Sequence, residues 1–194
     1  MSPIGIVHLV FSLLALVLGA VVLRIPKGTR WHRTWGHGYV WCMIGVIGTS
    51  FAMYRLTGRP GPFHLAAAVG AVTVAGGLWT ALGRRPPKHW ILAHATWMAW
   101  SYVGLCAAFV AESMTRFVMP LIAPSLQANA LWPLFWTLVA VGSFSVFGVG
   151  AWLIRRRLPG AVAGTPAAMR RDRELLRAAE AEVGPGPAEP RADR

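Results

Sequence analysis

Acidic residues are nearly missing from most of this chain. Glu112 is the only Asp or Glu among residues 1–154, although the full 194 residues carry 19 Lys and Arg. Hydrolysis by paired carboxylates is thereby excluded. So are magnesium or calcium cages and proton relays built on carboxylates, since each needs oxygen ligands or acids that the chain does not supply. Cysteine is scarce too, and Cys42 and Cys106 stand alone in apolar surroundings without CxxC spacing. That removes a disulfide framework, a thiolate zinc site and covalent haem attachment through CxxCH, and leaves both thiols as small buried hydrophobes. No glycine-rich phosphate loop, GxSxG elbow or HExxH pair occurs.

Apolar length is what the chain has in quantity. Hydrophobic residues make up 55% of it, and stretches of about 20 residues lack charge, enough to cross a hydrocarbon core of about 30 Å at 1.5 Å per residue. The runs predict an all-α integral membrane protein with five transmembrane helices, at about 3-23, 38-56, 63-82, 89-111 and 131-154, arranged as a four-helix core plus a fifth helix. The first run has no basic residue before it and exceeds the apolar core of a secretory signal, about 7 to 15 residues, so it is expected to be retained.

A net charge of +12 would suggest nucleic acid in a soluble chain, but here the basic residues gather between apolar runs. Arg24, Lys27, Arg30 and Arg33 follow the first run, Arg84, Arg85 and Lys88 the third, and Arg155, Arg156 and Arg157 the last. The remaining connections hold only Arg55 and Arg59, then Glu112 and Arg116. By the positive-inside bias the N-terminus lies outside and the C-terminus in the cytoplasm. The expected partner of this charge is the lipid bilayer, with no nucleic acid. Residues 1-157 form the transmembrane domain, and residues 158-194 a charged, partly disordered cytoplasmic tail. A short charged helix is expected at about 168-182, where Arg170 and Glu174 stand four apart.

Chemistry then rests on histidine, the commonest metal and haem ligand and a side chain that needs a reason to sit in lipid. His8 and His64 come early in the first and third runs, which enter from outside; the second and fourth enter from inside with His32 or His37, and with His89 or His94. His8 and His64 can share an outer level, and His32 (or His37) and His94 an inner one, while His89 reads as an interfacial residue. Residues five apart on a helix point about 140° apart, so His32 and His37 cannot both face one centre.

Imidazoles projecting inward from facing helices suit bis-histidine ligation of haem b, whose natural chemistry is electron transfer. The expectation is a b-type cytochrome-like carrier with one or two haems, ligated by His8 with His64 and by His32 or His37 with His94. A quinol or another membrane redox partner would supply electrons, and a homo-oligomer is compatible. Two other classes stand beside it: a transporter whose histidines bind copper or zinc or relay protons, and a structural subunit of a larger membrane complex. Gly36, Gly38, Gly45, Gly70, Gly76 and Gly77 would let a flat macrocycle approach the backbone, although glycine is common in any membrane bundle. Trp97 and Trp100 lie deep enough to flank a macrocycle or simply to pack, whereas Glu112 and Arg116, four apart, read as an ion pair.

This layout is similar to that of the cytochrome b561 superfamily, in which a four-helix core holds two b haems through histidines from alternate helices. Closer in sequence, the stretches HLVFSLLALVLGAVVLRIPKGTRWHRTWGHGYV and HATWMAWSYVGLCAAFVAESMTRFVMP resemble a family of small bacterial membrane proteins, a domain-of-unknown-function family. The first has a histidine in the opening span, then a Lys-Gly-Thr turn and a His-Arg pair; in the second, His94, Trp97, Met98, Ser101, Tyr102 and Arg116 fall where the family's pattern has them. The resemblance covers roughly residues 5-120 and favours His32 with His94 at the inner level. It implies a multi-pass protein of the bacterial inner membrane and brings no established activity. The chain departs from the b561 proteins in having its histidine helices first and an extra helix last.

Overall fold

Ser2 caps the first helix: its Oγ accepts from the Gly5 N–H at 3.2 Å, and Pro3 fills the opening position, where a missing N–H costs nothing. Helix α1 runs Pro3–Arg24, until Ile25 turns extended ahead of Pro26. Thr29 opens the next helix by accepting from the His32 N–H at 3.1 Å, and α2 spans Arg30–Thr57. Helices α3 (Pro62–Gly83) and α4 (Trp90–Ser113) follow. The chain then continues through a π-helical segment, Met114–Val118, into the short α5, Met119–Ile122, and α6 runs Ala128–Ala163. The computed structural model describes residues 2–57, 62–86, 89–122, 124, 127–163, 165 and 174, and every regular element among them is helical. Arg59, Lys88 and, but for Glu174, the charged helix expected at 168-182 lie outside the described residues.

Gly28 makes the turn between α1 and α2 with φ of +79°, in the left-handed region that a Cβ disfavours. Gly28→Ala is therefore expected to cost about 1–2 kcal/mol, read as a lower midpoint of thermal unfolding in detergent.

Glycine notches set the packing. Leu18 lies 3.5 Å from where a Cβ on Gly38 would stand, and the Phe11 ring fills the notch at Gly45, so α1 and α2 run antiparallel. In the same way Met43 approaches Gly70 across the α2–α3 seam, Trp97 and Met98 of α4 fill Gly76 and Gly77 of α3, and Tyr102 of α4 fills Gly19 of α1. The four helices close into a ring, each antiparallel to its two neighbours, around Ala15, Tyr39, Cys42, Met43, Val74 and Leu105. α6 lies outside that ring against α4, where Gly142 and Gly150 receive Val110 and Val103. Cys42 is buried, Cys106 half-buried, and both are free thiols.

The outer surface is apolar, with Leu82 83%, Leu121 80% and Phe144 73% exposed, as lipid tails allow and water does not. Among the described residues, four helices are long and apolar enough to cross a membrane: Pro3–Arg24, His64–Gly83, Trp90–Ile122 and Asn129–Ala163. Five had been expected, and α2 is the one that falls short. Its 28 residues include Arg30, His32, Arg33, Thr34, His37, Thr49 and Ser50, which dilute its apolar stretch. It also begins eight residues ahead of the expected 38, so both His32 and His37 are helical. At the far end α6 carries on beyond Arg157, through Pro159, to Ala163.

Candidate functional site

A hydrogen bond across the ring fixes the geometry of the half of the bundle that carries His32 and His94. The Tyr39 hydroxyl on α2 and the Ser101 hydroxyl on α4 meet at 2.6 Å, both residues being buried. His32 precedes Tyr39 by seven residues, and His94 precedes Ser101 by seven. Seven residues return a helix to within about 20° of the same direction. His32 and His94 therefore continue the two facing stripes by two turns, at a common level, and the two imidazoles feel each other electrostatically. His37 is only two residues from Tyr39, about 200° around the helix, and lies exposed on the outside of α2. His89 is exposed too, at the boundary where its carbonyl accepts from the Ala93 N–H at 2.9 Å.

Each nitrogen can be assigned a role. His94 Nδ1 lies 2.8 Å from the Gly77 carbonyl oxygen. A carbonyl only accepts, so Nδ1 carries the proton and Nε2 keeps its lone pair, the arrangement that also orients metal-ligating histidines. His32, on the first turn of α2 ahead of its apolar run, has an Nδ1 that is buried and makes no hydrogen bond. Lys27, His94 and the Val22 carbonyl lie near this imidazole.

Two more histidines lie at the opposite end of the bundle. His8, buried on α1, places Nδ1 2.9 Å from Thr49 Oγ1. The Thr49 hydroxyl donates to the Gly45 or Val46 carbonyl, at 2.7 and 3.0 Å, so its oxygen accepts the His8 Nδ1 proton. His64, half-buried on α3, sets its ring 6.4 Å from that of Phe51, two residues along α2 from Thr49. His8 and His64 thus flank the same turn of α2. The two levels are about 21 Å apart, taking the 14 residues from His8 to Val22 beside His32 at 1.5 Å each.

Glu112 also neighbours His8, and it receives Arg116 Nε at 2.8 Å and Nη2 at 2.6 Å on one oxygen, the ion pair that the four-residue spacing predicts. With the Arg116 side chain 41% exposed, Glu112→Gln is expected to change thermal stability by less than about 1 kcal/mol.

Several expectations resolve differently. Gly45, Gly76 and Gly77 receive the chain's own Phe11, Trp97 and Met98, so these glycines serve helix contact and leave no backbone open to a macrocycle; Gly36 faces open space. Trp97 packs in its notch and Trp100 lies 6.4 Å from Phe147 of α6. Among the described residues no three His, Cys, Asp or Glu gather as a metal cage, whereas axial ligation of a haem needs imidazoles only in pairs. The Tyr39–Ser101 bond and the threonine and carbonyl partners of the histidines were not foreseen. The matching spacings His32-to-Tyr39 and His94-to-Ser101 were the available signal.

The family described as "Predicted membrane protein (DUF2306)" matches residues 5–160. No curated protein and no solved structure matches the chain.

Proposed function

Because the chain belongs to this family of predicted membrane proteins, we propose that it is a five-span b-type cytochrome-like electron carrier of the bacterial inner membrane, N-terminus outside and C-terminus cytoplasmic. The fifth span is α2. What supports this is that α2 packs antiparallel between α1 and α3, where a return crossing lets those two candidate spans run in one direction. Orientation follows from charge: Arg24, Lys27, Arg30, Arg33, Arg84, Arg85 and Arg155 to Arg157 share one end of the bundle, the end expected to face the cytoplasm.

The observation that carries the haem reading is the inner pair. His32 and His94 stand at one level on facing stripes, one with an unbonded buried Nδ1 and the other with its Nδ1 tied to Gly77. With these donors, His32 and His94 are the residues that would hold a haem iron between α2 and α4. His8 and His64 form the corresponding outer pair, with Thr49 orienting His8. Haem b, when bound, would supply a one-electron iron couple, with His32 and His94, and His8 and His64, as the residues that would hold it. The protein's own part is to hold four imidazoles in orientation, exclude water and keep the two levels apart; a quinol or membrane redox partner is the proposed source of electrons.

The test is a reduced-minus-oxidised visible spectrum, with metal analysis, on protein purified in mild detergent from haem-replete cells. A sharp low-spin b-type signal with one or two irons per chain is expected. A colourless, iron-free protein would overturn the reading, with copper or zinc in its place favouring a transporter and neither favouring a structural subunit.

A further inference from the structure

The Lys-Gly-Thr turn between α1 and α2 brings a fixed charge to the inner pair. Lys27 Nζ donates to the Leu23, Val22 and Ile25 carbonyls, at 2.7, 2.9 and 3.3 Å, so all three ammonium protons are engaged and the half-buried cation is pinned over the end of α1. Gly28, with its left-handed φ, reverses the chain, and Thr29 caps α2, which sets His32 on the first turn. The register that packs Leu18 beside Gly38 brings Val22 to the level of His32. The imidazole lies against the same Val22 carbonyl that Lys27 holds.

No acidic side chain of α1, α2, α3 or the turn itself offsets this cation, because residues 1–111 contain no Asp or Glu. The outer end differs: Arg116, near His8, is neutralised by Glu112. The two histidine levels therefore sit in unequal fields. A positive charge favours whichever oxidation state carries less positive charge, which for an iron couple is the reduced one.

Resting on the haem reading, we propose that Lys27 is a positioning residue that sets the reduction potential of the inner centre above that of the outer, so that electrons run from the outer face to the inner. The step is a transfer of one electron from the reduced outer centre to the oxidised inner one, with no bond made or broken. The donor that re-reduces the outer centre belongs to the class of hydroquinones or membrane redox proteins.

Equilibrium redox titration of the full chain, followed by visible absorbance, tests this. His8→Ala isolates the inner centre and His94→Ala the outer, and the inner is expected to titrate at the more positive potential. Lys27→Met is expected to lower the inner midpoint by about 59 mV, a tenfold change in the reduced-to-oxidised ratio of a one-electron couple, and to leave the outer midpoint in place. Lys27→Arg, which keeps the charge, should retain the wild-type value, as should Arg30→Met, which removes an exposed charge from the same turn. An inner centre that titrates below the outer overturns the inference even where Lys27→Met does not accumulate. So does a Lys27→Met shift that is absent or equal at both centres, or that Lys27→Arg reproduces. Each of those outcomes leaves the haem reading standing, whereas a colourless wild-type protein overturns both.

Discussion

Replacing His94 with alanine is expected to remove the inner centre outright, lowering bound iron by one per chain and deleting that centre's part of the reduced-minus-oxidised spectrum. The expectation rests on geometry. His94 and His32 project along stripes whose alignment is fixed two turns away by the 2.6 Å contact of Tyr39 with Ser101, and His94 is further oriented by Gly77. With one axial imidazole gone, no other histidine on α4 can replace it, since His89 is exposed at the helix boundary. His37→Ala is the matched control. It deletes an imidazole from the same helix as His32, on the exposed side, and should leave both iron content and spectrum unchanged. Equal losses in the two variants would sink the assignment of the inner pair, and no loss in either would point to histidines that merely mark the bilayer boundary.

The largest effect on stability is expected from Gly19→Val. A Cβ at Gly19 would run into Tyr102 Cδ2 and Cε2 and would stand 3.0 Å from Tyr39 Cε2. Neither ring can withdraw freely. Tyr39 is 2% exposed and bonded to Ser101, and the Tyr102 hydroxyl donates to the Leu16 carbonyl at 3.1 Å, holding α4 to α1. Overpacking of this kind costs about 1–3 kcal/mol, and the upper end is expected because two bonded aromatic residues must move together. Gly36→Ala and Gly48→Ala provide the contrast, since nothing lies within 4 Å of either added Cβ. There only helix propensity changes, with a gain of up to about 1 kcal/mol. Thermal unfolding in one detergent compares all three; a tolerated Gly19→Val would mean that α1 and α4 are not packed through this notch.

The residues explain how much of this was legible in the chain alone. Uncharged run length located α1, α3, α4 and α6 within a few residues at most ends, because the cost of exposing polar groups to lipid forbids other patterns over that length. Start signals were weaker in α2. Thr29 caps it eight residues ahead of the apolar stretch, and a reading based on hydropathy passes over a turn of Arg, Trp and His. The choice between His32 and His37 needed rotational phase, which the sequence holds only as the distance to Tyr39, and Tyr39 acquires meaning only when Ser101 is seen opposite it. The glycines misled for a related reason. A missing Cβ marks a close approach but does not name the group that approaches, and here Phe11, Trp97, Met98 and Tyr102 take that place. Lys27 was legible as a topological charge, but its three carbonyl partners were not.

The placement of α6 has a consequence in time. All four proposed ligands belong to helices complete by Ser113, while α6 packs on α4 and on the π-helical segment after residue 113. Domains emerge and fold N-terminal first during synthesis. Both imidazole pairs can therefore be in register before the ribosome has delivered residue 128. The proposed ligands are thus all supplied without α6, which packs on a flank of α4 and adds no histidine to either pair.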